Sequence, residues 1–160
     1  MNIIPMTADY AARIVRWQYD APYDLYSFDG SEETRRELLG GGYYAVLDAE
    51  NGLHGYFCFG ADARIPVCEA GIYDAPLCDM GLGMAPDRCG AGGGTDFVRA
   101  GAAFARASLG AGTLRLAVAA FNKRAVHAYE SAGFAVTQTV THARSKQPFY
   151  VMICPRDAQK

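Results

Sequence analysis

The chain has 160 residues, of which 51% are hydrophobic, and a formal net charge of -2 at pH 7. That length corresponds to one domain with room for a real core. The charge gives no basis for nucleic acid or an anionic membrane as partner, and no apolar run is long enough to cross a bilayer.

The start, MNIIP, lacks the basic residues and apolar stretch of a signal peptide, so a cytoplasmic protein is expected. Five cysteines, none in a C-x-x-C pair, fit free thiols rather than a disulfide framework or a zinc site. Residues 2–5 read as a short strand. Residues 7–17 read as an amphipathic helix capped by Thr7, with Ala11, Ile14 and Val15 on one face.

The stretch 17–28, WQYDAPYDLYSF, is too aromatic for a linker and too irregular for one helix. It allows two readings. In one, Trp17 and Phe28 pack onto the core. In the other, Tyr19, Tyr23 and Tyr26, with Asp20 and Asp24 between them, wall a pocket for a cationic amine, since aromatic faces and carboxylates both attract cations. Residues 31–39 open on a capping serine with two early carboxylates and stop at three glycines, as a short helix does. Two apolar runs, 43–47 and 54–59, flank Asn51-Gly52 and predict a hairpin, with His54 a solvated strand residue beside its turn. Residues 61–76, with scattered Pro, Gly and charge, read as a loop.

The centre of the chain is LCDMGLGMAPDRCGAGGG, residues 77–94. A buried strand runs through a proline turn into a glycine cluster and then directly into a helix over 95–108. Free N–H groups at a helix start, approached through glycines, make an anion site; a plain flexible turn is the alternative. It is not a nucleoside-triphosphate loop, because no Lys precedes Thr95, and it lacks the spacing and later carboxylate of a dinucleotide fingerprint. Residues 113–119 alternate as a strand that, after a helical crossover, lies parallel to 77–84. A helix over 122–132 and an antiparallel pair, 134–141 with 149–154, complete a mixed α/β fold with a single sheet of six or seven strands.

Two of these stretches carry a family resemblance. GMAPDRCGAGGG, residues 83–94, resembles the acyl-CoA loop of the GNAT superfamily of N-acyltransferases, whose pattern is Arg or Gln, two residues, Gly, one residue, then Gly or Ala. Gly92 and Gly94 match, Cys89 stands in the first position, and Arg88 is its neighbour. AFNKRAVHAYESAGF, residues 120–134, resembles the family's second signature, an Asn that opens a helix followed by a Tyr seven residues on. The resemblance implies one GNAT-like domain over residues 1–160, with the two central parallel strands splayed and the pantetheine arm of acetyl-CoA between them. It implies that Cys89, Gly90, Ala91, Gly92, Gly93, Gly94 and Thr95 hold the diphosphate, mainly through main-chain N–H groups. Leu82, Gly83 and Met84 would meet the pantetheine, and Asn122 and Ala125 would line the same arm.

Asn122, Ala125 and Tyr129 share a helix face. Tyr129 alone would read as a buried aromatic, but the resemblance makes it the general acid: a phenol pKa of about 10 is close enough to a thiol's, about 8.5, to protonate the departing sulfur. An ammonium has no lone pair, so the acceptor amine must lose a proton first. Asp79, inside an apolar run on the central strand, is the first candidate base and Glu69 the second; local pairing is the alternative for Asp79. Cys89 at a helix start reads either as a lowered-pKa thiol or as a packed neutral one.

The function expected is acetyl transfer from acetyl-CoA to a primary amine, on a small molecule or a peptide, by direct attack and without a metal. Dimerisation is common in that superfamily. The competing expectation is a CoA-binding sensor that keeps the cradle without catalysis.

Overall fold

The computed structural model describes residues 1–156. It has seven strands, β1 (Asn2–Pro5), β2 (Tyr43–Leu47), β3 (Leu53–Phe59), β4 (Cys78–Met84), β5 (Leu114–Ala119), β6 (Ala135–Thr141) and β7 (Pro148–Cys154). Four helices accompany them, α1 (Ala8–Ile14), α2 (Glu32–Leu38), α3 (Gly94–Ser108) and α4 (Lys123–Ser131). The strands form one mixed sheet in the order β1-β2-β3-β4-β5-β7-β6. β4 and β5 run parallel, joined at Cys78↔Leu114 and Asp79↔Arg115 near their amino-terminal ends. The seven-stranded sheet and its central parallel pair are those expected from the sequence.

The chain divides into two compact units. One comprises Met1–Cys58 and Leu82–Ala91. Its helices start where side chains supply the missing acceptors: Thr7 Oγ1 accepts from Tyr10 N–H (3.3 Å) and Ser31 Oγ from Thr34 N–H (3.1 Å). Ala11, Ile14, Val15, Leu38, Ala45, Leu47 and Leu53 make its core, with Trp17, Phe28, Tyr43 and Tyr56 packed against them. Trp17 and Phe28 thus anchor the aromatic stretch to the core, as the first of its two readings expects. Asn51, at φ 64, turns the β2–β3 hairpin.

The other unit comprises Phe59–Gly81 and the chain from Gly92 onward. Phe97, Val98, Ala102 and Ala105 are the buried stripe of α3, and Leu114, Leu116 and Val118 are buried on β5. β7 pairs antiparallel with β5 from Leu114↔Cys154 to Ala119↔Phe149, and with β6 on its other side. The loop of 61–76 is partly ordered by the hairpin: Val67 bridges His142, and Cys68 N–H donates to Thr141 O (2.9 Å). None of the five cysteines is in a disulfide; Cys58 and Cys154 are buried and Cys68 is exposed. Among the described residues no helix is long and apolar enough to cross a membrane.

Candidate functional site

The glycine run is built as an open helix start. Gly90 and Gly92 have φ of 78° and 84°, a left-handed region that a side chain would strain. Gly93 is the N-cap of α3, and no side chain caps that end. The first main-chain bond of the helix is from Phe97 N–H to Gly93 O (3.1 Å), so the N–H groups of Gly94, Thr95 and Asp96 lie ahead of it. A Cβ added at Gly92 or Gly93 would meet nothing within 4 Å. Donors, positive dipole end and free space together suit an anion.

α3 packs against α4, and the contact brings the second signature to this helix start. A Cβ on Gly94 would reach Ala128 Cβ at 3.4 Å, one residue before Tyr129. Asn122 caps α4, its Oδ1 accepting from Ala125 N–H (3.2 Å). Tyr129 is buried, with its ring 6.2 Å from that of Phe134. Asn122, Ala125 and Tyr129 are therefore held on one short, capped helix that packs beside the start of α3.

Asp79 is fully buried beside Arg115, itself 3% exposed. Arg115 Nε–H donates to Oδ1 and Arg115 Nη2 to Oδ2 (3.0 Å), while Arg64 Nε–H also donates to Oδ2 (2.9 Å). Both guanidinium groups stack over Tyr73, at 5.3 and 5.0 Å from its ring centroid, and Arg115 donates to Ile72 O (3.2 Å). The hydrogen bond to Asp79 raises the pKa of Arg115. Both carboxylate oxygens are thus engaged by guanidinium groups that are distant in the chain, 15 and 36 positions away. Glu69 is exposed and accepts Thr141 N–H on both oxygens (2.9 and 3.0 Å), which holds its pKa below the usual value.

In the first unit, Tyr19 Oη donates to Met84 O (2.7 Å), and burial pushes the phenol pKa well up. The Cys89 thiol lies within hydrogen-bonding reach of Ala85 O (3.5 Å) and Met84 O (3.8 Å). Tyr23 and Tyr26 bound a one-turn 3₁₀ segment and are half-buried, while Asp20 and Asp24 are exposed. Leu82 lies half-buried on β4.

Gly83 has a specific neighbour: an added Cβ would overlap the Tyr56 ring, whose Cζ and Oη would be 2.8 Å away. Tyr56 cannot easily yield, because Phe28, Tyr43 and Trp17 surround it with ring centroids at 5.7, 5.9 and 6.2 Å. Gly83→Ala is expected to destabilise by about 1–3 kcal/mol, lowering Tm by about 2–4 °C for each kcal/mol. An unchanged Tm in a calorimetric scan would mean that the aromatic cluster gives way.

Sequence reasoning missed two clusters: Asp79 with Arg64, Arg115 and Tyr73, and Arg88 with Asp48 and His54. One signal was present. Arg115 interrupts the apolar run LRLAVA, and a cation in a buried strand needs an anion next to it. Among the described residues no group of three or more His, Cys, Asp and Glu is placed to hold a metal ion.

No family model and no curated protein sequence matches the chain. Solved structures match along nearly its whole length. A chimera of the spermidine N-acetyltransferase SpeG from Vibrio cholerae and hSSAT is 18% identical, with a TM-score of 0.73 over 98% of this chain and 96% of that one. Mutant forms of the spermidine/spermine N-acetyltransferase SpeG from Vibrio cholerae are 16% identical, with a TM-score of 0.69 over 97% and 94%. An acetyltransferase of the GNAT family from Bacillus anthracis is 14% identical, with a TM-score of 0.72 over 97% and 94%.

Proposed function

We propose that this chain, whose fold is that of the GNAT acetyltransferases, transfers an acetyl group from acetyl-CoA to a primary amine. The observation that carries the reading is the uncapped start of α3, entered through left-handed glycines and packed beside the helix that bears Tyr129. The donor set fits a diphosphate, since main-chain N–H groups at a helix start recognise phosphate oxygens and the positions of Gly92 and Gly93 leave room for them. In this reading Gly92 to Asp96 hold the diphosphate, Asn122 meets the pantetheine, and Tyr129 carries the proton for the leaving sulfur. Acetyl-CoA supplies the activated thioester carbonyl.

The amine attacks directly, so no residue needs to carry the acyl group. Because both oxygens of Asp79 are taken up by guanidinium groups, we assign it the pairing role and leave the amine's proton to water. Acceptor preference is read from the exposed Asp20 and Asp24 beside Tyr23 and Tyr26, a combination suited to a small polycation.

The test is CoA release, followed with a thiol reagent, across polyamines, amino sugars, amino acids and peptide amino termini. Turnover is expected with a small polyamine preferred. If CoA binds but no amine gives turnover, the sensor reading replaces this one.

A further inference from the structure

The chain enters the glycine run from a short turn, Pro86–Arg88, that follows β4 directly. We propose that Asp48, His54 and Arg88 form a latch on this turn, which positions the glycine loop and thereby sets the affinity for coenzyme A without touching it. The affinity half rests on the function read above for the loop.

Arg88 Nη2 donates to Asp48 Oδ2 (2.6 Å), and its Nη1 lies 3.3 Å from His54 Nδ1. Asp48 is not a loose surface carboxylate. Its Oδ1 accepts from Glu50 N–H (2.9 Å) and Gly52 N–H (2.8 Å), so the β2–β3 turn fixes it, and the Arg88 hydrogen bond lowers its pKa to about 2. The main chain repeats the attachment, with Ala85 N–H donating to His54 O (2.8 Å) and Arg88 N–H to Ala85 O (2.8 Å). An isolated surface ion pair contributes little, but a charge-assisted bond whose acceptor is held by two backbone donors keeps one geometry.

Two residues after Arg88, the chain reaches Gly90 and the glycine-rich run to Gly94. Glycines lose the most freedom on ordering, so binding at this run is weakened by whatever part of the time the loop spends elsewhere. A fixed entry point removes much of that loss.

His54 makes the latch sensitive to pH. Its Nδ1 faces a guanidinium N–H, so the neutral ring accepts there, with its proton assigned to Nε2. Burial, Arg88 and the amino terminus of Met1 lower its pKa, and Asp48 and Asp87 oppose them. Proton binding is therefore weaker in the latched state than in an unlatched one. Acidification through the range below the ordinary histidine value, about 6.5, favours release. Coenzyme A affinity falls with it.

The experiment compares wild type, Arg88→Gln, Arg88→Lys and His54→Gln by calorimetric titration with coenzyme A and by amide hydrogen exchange of residues 85–94 without ligand. Arg88→Gln is expected to bind coenzyme A about tenfold more weakly, to exchange faster in that loop, and to show its defect in KM for acetyl-CoA rather than in kcat. Arg88→Lys recovers part of the loss, because an ammonium pairs with Asp48. His54→Gln flattens the fall in affinity between about pH 7 and pH 5.5. Unchanged affinity and unchanged loop exchange in Arg88→Gln overturn the latch. If loop exchange quickens in Arg88→Gln but the wild type binds no coenzyme A, the latch stands and the function read above falls instead.

Discussion

Tyr129→Phe is expected to lower kcat for acetyl transfer by about 10²-fold or more, the usual contribution of a positioned general acid, with little change in KM for acetyl-CoA. The substitution keeps the ring, which is buried and lies 6.2 Å from Phe134, so the helix face survives. Loss of the hydroxyl costs folding only about 1 kcal/mol. A variant with near wild-type kcat would return Tyr129 to the role of a core aromatic.

Asp79→Ala is expected to lower stability by about 3–5 kcal/mol, because it leaves Arg115 buried and uncompensated. Arg115 is 3% exposed, and two of its nitrogens donate to that carboxylate. Asp79→Asn should lose nearly as much, since the amide keeps the shape but not the charge. The double variant Asp79→Ala with Arg115→Met should regain a large part, as buried ion pairs replaced by apolar groups often do. Denaturant melts measure all three. Asp79→Asn also separates pairing from catalysis: at a temperature where it stays folded, kcat should remain near wild type. A large loss of kcat with unchanged stability would make Asp79 the base after all.

What the sequence revealed of the fold was local. Thr7, Ser31 and Asn122 cap helices within three residues of their partners, so their roles could be read without knowing where the chain goes. The parallel pairing of β4 and β5 followed from a strand, a crossover helix and a second strand in order. Seven strands rather than six, and the order that places β7 between β5 and β6, depend on long-range pairing that no window of residues specifies. The site divides in the same way. The glycine run and the helix of Tyr129 are contiguous motifs and were legible. The bond of Asp79 to Arg115 on the neighbouring strand, and the link from Arg88 to Asp48 and His54, join residues 34 to 40 positions apart and need the folded register. Tyr19 shows the limit on the acceptor side. The hydrogen bond from its hydroxyl to Met84 O spans 65 positions, and no local window of residues shows it.

The most direct test of the proposed coenzyme A site is an amide correlation spectrum of the labelled protein recorded during titration with coenzyme A. The amides of Gly92 to Asp96 are predicted to shift together and to saturate with one binding constant, as hydrogen-bond donors to a diphosphate do. If the protein binds coenzyme A while those amides keep their positions, the helix start is not its cradle and the account fails.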